Sequence, residues 1–303
     1  MDAISQAIDA IQRKLPNIEC RLGEQMKNHT SFRIGGPVRA MLFPECSTGL
    51  VEVSGILRDY GCAAFVMGNG TNLLVSDGKH EMVVIKATKL SEAGFTGDTG
   101  IVADAGLTLT KLAELARERG LTGFEFAHGI PGTLGCAILM NAGAYDGEMS
   151  GVVCSTRYYD KEKGVFEVTG GDHGFSYRRS RFSDNSDIIL SSTIKLKKGD
   201  PFLIGEKMEE LSTRRKESQP LEMASAGSTF KRPNGGYAAA LIDQAGLKGY
   251  SVGGAKVSEK HSGFVVNTGG ASFDDVMAVI GHVQETVLRQ TGLELELEVK
   301  TII

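Results

Sequence analysis

The sequence predicts an α+β protein of two domains, and two observations carry the prediction. Short apolar runs cut by glycine occupy roughly residues 32–199, then helices and strands mix without the regular βα alternation of a doubly wound sheet. Glycine makes up 39 of 303 residues, about twice the usual share of roughly 7%. The backbone must therefore turn tightly, or approach something closely, in many places.

Taken in order, Ile4, Ile8, Ile11 and Leu15 recur at helical spacing, so 2–15 is an amphipathic helix ended by Pro16. The apolar runs 38–43, 65–67, 82–85, 101–103 and 188–197 read as strands, with one helix, 109–119, between them. Asp200-Pro201 opens a charged helical stretch, 206–217, that runs into Pro220. The boundary is placed there, giving a lead-in 1–31, a first domain 32–199 and a second domain 200–303. The second domain then reads as helix 237–245, strand 264–267, helix 273–290 and a closing strand 293–302.

Composition excludes several classes. Lys+Arg number 33 against 37 Asp+Glu, a net charge of −4, which argues against a protein built to grip nucleic acid or an anionic membrane. Apolar residues are 41% and charged residues 23%, enough for a real core. No apolar run approaches the roughly 18 residues of a membrane helix, and the first residues lack a secretory apolar region, so the expected place is the cytoplasm. Five cysteines without a C-x-x-C pair read as reduced thiols. No His/Cys/carboxylate cluster has metal-ligand spacing, so no metal is expected, and no obligate protein partner is evident.

Two glycine segments stand out. Phe65-Val-Met-Gly-Asn-Gly-Thr-Asn-Leu-Leu-Val75 lies between apolar runs, and glycines at 68 and 70 let consecutive amides form an anion-binding concavity. It lacks the third glycine and following helix of the Rossmann fingerprint, and no P-loop occurs anywhere. A plain hairpin turn is the competing reading. The second segment, residues 123–145, places Gly129, Gly132 and Gly135 around Pro131 with interleaved apolar residues. It reads either as backbone lying against a flat or anionic ligand or as a tight helix–sheet corner. Together the two segments suggest a dinucleotide held by backbone.

These segments, with Asn28-His-Thr-Ser-Phe-Arg-Ile-Gly-Gly36, Ala226-Gly-Ser-Thr-Phe-Lys231, Leu241-Ile-Asp-Gln-Ala-Gly-Leu-Lys-Gly249 and Val257-Ser-Glu-Lys-His-Ser262, resemble the UDP-N-acetylenolpyruvoylglucosamine reductase family (UDP-N-acetylmuramate dehydrogenases). The resemblance runs from about residue 20 to the end, in the family's order, and fits its short form, type II. It implies an FAD-binding domain of the p-cresol methylhydroxylase/vanillyl-alcohol oxidase type followed by a smaller α+β substrate-binding domain. It also implies FAD as cofactor, NADPH as co-substrate, and reduction of UDP-N-acetylglucosamine enolpyruvate to UDP-N-acetylmuramate in peptidoglycan precursor synthesis.

By the same resemblance, Gly68, Asn69, Gly70, Thr71, Asn72 and Leu73 take the FAD pyrophosphate, and Gly129, Ile130, Pro131, Gly132, Gly135, Asn141 and Ala142 line the other side. Arg178 matches the arginine that holds the substrate carboxylate and enol, a task suited to a permanently charged planar fork. Alone, the three arginines at 178, 179 and 181 read as a solvated or phosphate-facing patch, and Ser176 stands where many relatives have glycine. Ser228 matches the proton donor, although Gly-Ser-Thr alone is an ordinary turn and Ser225 and Thr229 are rival hydroxyls. Glu298 matches the glutamate that assists at the enol. Unaided, the period of two over 293–299 puts Glu294, Glu296 and Glu298 on one face, which also reads as a solvated strand face. Tyr177, Lys231, Arg232, Lys260 and His261 match substrate-site positions, with Arg232 where some relatives have Asn, while His128 reads first as a core histidine. Two other functions compete: a flavin oxidase of the same FAD fold acting on another sugar or alcohol, and a catalytically silent flavin- or nucleotide-sugar-binding protein.

Overall fold

The computed structural model of the chain describes residues 2–303. Its helices are α1 (Ala3–Lys14), α2 (Ser47–Asp59), α3 (Leu109–Glu118), α4 (Leu134–Leu139), α5 (Pro201–Ser218), α6 (Ala238–Gln244) and α7 (Phe273–Thr291). Contacts divide the chain into two compact units interleaved in sequence. One takes residues up to 22, 39–69 and 82–214; the other takes 23–38, 70–81 and 215–303. The α+β class expected from the sequence holds.

In the first unit, α1 buries Ala7, Ile8 and Ile11, the face its spacing predicts, and Asp2 caps it by accepting from the Ser5 amide. Helix α2 packs on α1 through Leu50, Val53 and Leu57; the sequence reading contains no such helix. A four-stranded sheet runs Glu19–Leu22, Val38–Phe43, His80–Lys86, Ala64–Met67, and its last pair is parallel. An antiparallel five-stranded sheet follows in the order Gly164–Thr169, Val153–Asp160, Ile188–Lys195, Gly100–Asp104, Ala93–Thr96. Leu109, Leu112, Leu134, Ile138 and Phe182 join α3 and α4 to its core, each worth about 1.5–3 kcal/mol for a side chain taken fully out of water.

In the second unit, α7 opens with a Ser272–Asp275 capping box and ends at Gly292 in the left-handed region. It lays Val276, Val279, Ile280 and Val283 into a core with Val257, Val265, Phe32 and Ile34. The sheet order is Ala224–Ser225, Val265–Asn267, Ala255–Val257, Ser251–Val252, all antiparallel. A parallel pair, Lys300–Ile302 with Leu73–Val75, lies in the same unit.

Two expectations change. The charged helix begins at Pro201 rather than 206 and ends at Ser218, because proline suits a first helical turn, where no amide donor is needed. The closing strand is a ladder only over Lys300–Ile302. Upstream, the Lys231 amide donates to Glu296 O and the Glu298 amide to Thr229 O, whereas the Lys300 amide donates to Asn72 O. The extended segment changes partner between 298 and 300, so no single ladder spans it. Among the described residues, no helix is long and apolar enough to cross a membrane, and no cluster of His, Cys, Asp and Glu could hold a metal ion.

Candidate active site

Residues 68–69 of the first glycine segment meet the second segment within the first unit. Asn69 donates its side-chain amide to Pro131 O at 3.1 Å. Gly68 lies so close to Thr133 that a Cβ there would stand 2.2 Å from the Thr133 hydroxyl, so position 68 cannot carry a side chain without moving a buried threonine. Gly70 has φ +66°, the left-handed region that glycine enters freely. Within the described residues, the amides of Asn69, Gly70, Thr71 and Asn72 donate to no group of the chain. Four successive unspent amides in a glycine turn are the donor set that a phosphate oxyanion takes. Leu73, buried, begins the strand that follows.

On the other segment Gly129 has φ +86° and Pro131 is exposed, while Ile130 and Gly132 are half-buried and Gly135 and Ala142 buried. Gly135 is fixed by packing: its amide donates to Ala105 O at 2.8 Å, and a Cβ would sit 2.9 Å from that of Ala105. Here the helix–sheet corner reading describes the geometry. His128 is half-buried, beside Ala127 in the core.

Arg178 occupies a turn in the first unit, closed by the Ser176 amide donating to Arg179 O and the Arg179 amide donating to Ser176 O. Its φ is +55°. For a residue with a Cβ that conformation costs about 1–2 kcal/mol, and such strain gathers where function requires it. The guanidinium reaches Gly143 O at 3.4 Å and lies 5.2 Å from the centre of the Tyr177 ring. Its neighbours are occupied otherwise, Arg179 by Asp184 and Arg181 over the Tyr158 ring. Tyr177 itself is 52% exposed.

Ser228 and Glu298 belong to the second unit and are placed by main chain. Phe230 and Leu297 form an antiparallel bridge, with Lys231 N to Glu296 O and Glu298 N to Thr229 O on either side of it. That register sets Glu298 opposite Thr229, next to Ser228 along the chain. Thr229 is fully buried, and its hydroxyl oxygen accepts from the Val265 amide. Ser228 is half-buried, its hydroxyl donating to Phe230 O. Asn72, from the Gly68–Leu73 turn, donates its side-chain amide to Glu298 O at 3.0 Å. The sequence alone makes Asn72 a phosphate neighbour; its link to Glu298 depends on tertiary pairing that no local pattern encodes.

The remaining candidates in the second unit have local partners. Lys231 pairs with Glu296 at 3.1 Å, Arg232 stacks over Tyr237 at 4.1 Å, and Lys260 donates to Lys216 O. His261 accepts from the Gly263 amide, and burial pushes its pKa down.

Comparison with known proteins gives this geometry its context. The C-terminal domain of UDP-N-acetylenolpyruvoylglucosamine reductase matches residues 219–302, and an FAD binding domain matches 38–170. The UDP-N-acetylenolpyruvoylglucosamine reductase of Caldanaerobacter subterraneus subsp. tengcongensis is 47% identical over 295 residues, 97% of each chain. This chain belongs to the UDP-N-acetylenolpyruvoylglucosamine reductase family. The reductase of Clostridium tetani is 43% identical over 99% of this chain and 96% of its own. The crystal structure of the Thermus caldophilus reductase superposes with TM-score 0.80 at 33% identity, covering 95% of this chain and 99% of that one. Within a reductase of this family, the FAD-binding match contains both glycine segments, and the C-terminal match contains Ser228 and Glu298.

Proposed function

We propose that this chain reduces the enolpyruvyl ether of UDP-N-acetylglucosamine enolpyruvate to UDP-N-acetylmuramate at the expense of NADPH, with residues 32–199 as its FAD domain and 200–303 as its substrate domain. The observation that carries the reading is the meeting of Gly68–Asn69 with Pro131–Thr133 beside a run of unspent amides. This is a fit for the FAD diphosphate, held by residues 68–73 with 129–132 alongside. When bound, FAD supplies the hydride relay between the nicotinamide and the double bond.

The chain's own residues do the rest. Hydride arriving at C3 leaves negative charge on C2 and its carboxylate, and Arg178, pre-set by its turn, offers a fixed planar cation to that charge. Ser228 gives the proton to C2. A hydroxyl is a weak acid, so the step needs a strongly basic acceptor, with Glu298 nearby to steady the enol and help return the proton. Lys231, Arg232 and Lys260 supply positive charge for the diphosphate of the nucleotide sugar, and Tyr177 and His261 line its pocket. The reaction balances as substrate, NADPH and one proton giving product and NADP+. The cytoplasm is the place for this chemistry, and five free thiols suit a reducing compartment.

The test is to identify the product. Purified protein given FAD, NADPH and UDP-N-acetylglucosamine enolpyruvate should form, one for one with NADPH consumed, a species two hydrogens heavier than the substrate. NADPH oxidation that yields no such species, and continues only with oxygen as acceptor, would favour the oxidase reading instead.

A further inference from the structure

The turn that carries Arg178 is held from the C-terminal end of α4. Ser180 and Ser183 both donate their hydroxyls to Leu139 O, at 2.8 and 2.7 Å, and Arg178 itself reaches Gly143 O. Between those anchors the Asn141 side chain reaches the turn proper: its Nδ2 donates to Ser176 O at 3.1 Å, the same carbonyl that closes the turn with the Arg179 amide. On its other side Oδ1 accepts from the Ser150 amide at 2.9 Å. Asn141 is 1% exposed, and its amide group is committed on both sides to the chain.

Its backbone says why this position is informative. Asn141 follows the last residues of α4 with φ +44°, and the Ala142 amide returns to Ala137 O in the manner of a helix C-terminal stop. Glycine is the usual residue there, because it enters the left-handed region without a Cβ penalty. Asparagine tolerates that region less well but brings a side chain that glycine lacks, and here both ends of that side chain are used. The helix stop and the brace on the turn are thus separable by substitution.

We infer that Asn141 is a positioning residue for Arg178, its carboxamide holding the 176–179 turn in the left-handed conformation that presents the guanidinium to the substrate. This rests on the reading that Arg178 acts on the substrate, so its test includes Arg178 variants.

The test uses the flavin-loaded protein under anaerobic conditions, comparing wild type, Asn141→Gly, Arg178→Ala and the double variant. Asn141→Gly should melt close to wild type, and its rates are read per bound flavin, because the family resemblance also puts Asn141 beside the cofactor. Recovery of the flavin band on adding UDP-N-acetylglucosamine enolpyruvate should be slower by about 10- to 100-fold, the scale of a misplaced reacting group. Substrate affinity for the oxidised protein, read from the shift of the flavin band without NADPH, should fall several-fold. The double variant should recover no more slowly than Arg178→Ala alone, since a brace matters only through what it holds.

Recovery at the wild-type rate in Asn141→Gly, with Arg178→Ala slow, would overturn the inference and leave Arg178 in place. Multiplicative losses in the double variant would also overturn it. If Arg178→Ala recovers as wild type does, the role of Arg178 falls and the brace with it. Should glycine not fold, Asn141→Asp answers the same question, because it keeps an acceptor for the Ser150 amide and sets oxygen against Ser176 O.

Discussion

Arg178 and Ser228 are assigned to one reaction step, yet they are held in place by opposite means. The arginine sits on an isolated turn whose conformation is unfavourable to it, supported by side chains: Asn141, Ser180 and Ser183, all bonded across to residues 139–150 and 176. The serine precedes residues 229–231, whose main chain pairs with 296–298, and adjoins a wholly buried Thr229. Support by side chains can be removed one atom at a time. Support by main chain survives most substitutions and fails only when register fails. The first region should therefore show graded losses when its neighbours are altered. The second should show sharp loss at the functional residue and tolerance around it.

The largest effect should come from Ser228→Ala, which should slow substrate-dependent recovery of the flavin band by about 10²–10⁴-fold, the usual worth of a general acid. Ser225→Ala should leave it near wild type, and rapid-mixing absorbance compares the two. Equal losses at 225 and 228 would break the assignment of the acid. Next, Arg178→Ala should cost about 10²–10³-fold in the same half-reaction, as for one lost charge-stabilising donor. Bleaching by NADPH should be little changed. Arg178→Lys should recover only part of the loss, because a point charge cannot replace a planar fork. Arg179→Ala should cost little, since that guanidinium is occupied by an exposed aspartate, Asp184.

A smaller effect sharpens the contrast. Asn72→Ala removes the bond to Glu298 O, and one such bond is worth about 0.5–1.5 kcal/mol. Turnover should drop several-fold while the Phe230–Leu297 bridge and its flanking bonds from Thr229 and Lys231 keep the neighbouring serine in place. Comparing kcat with flavin retention separates that from loss of a phosphate contact.

The smallest effect is common to both units. His173 is fully buried between Gly170 O and the Thr156 hydroxyl, and His261 is half-buried; burial lowers the pKa of each below the ordinary 6.5. Below about pH 6.5 the unfolded chain binds protons that the folded one refuses, so stability should fall on acidification through that range and be level above it. Melting curves between pH 5 and 8 check the slope, and His261→Gln should flatten part of it. An unchanged melting temperature from pH 8 down to 5 would contradict it.

Legibility followed the same division. Strong periodicity exposed α1, α3 and α7, because a buried face repeating every third or fourth residue is a local signal. Helix α2 was not legible: Gly49, Gly55, Val51, Val53 and Ile56 are weak helix formers, and burial of Leu50, Val53 and Leu57 holds it instead. In the site, glycine spacing singled out both segments proposed to hold the flavin, and alternation put Glu298 on a face with Glu296. Neither Arg178 among three arginines nor Ser228 in a glycine turn could be singled out without the family resemblance. What distinguishes them is positive φ in one case and a partner strand distant in sequence in the other, and composition and periodicity carry neither.

The reading as a whole is tested most directly by following the flavin band of the purified protein anaerobically through two additions. Bleaching by NADPH, then recovery on adding UDP-N-acetylglucosamine enolpyruvate, is the expected result. Bleaching that recovers only when oxygen is admitted, or no flavin band after FAD has been supplied, would contradict it.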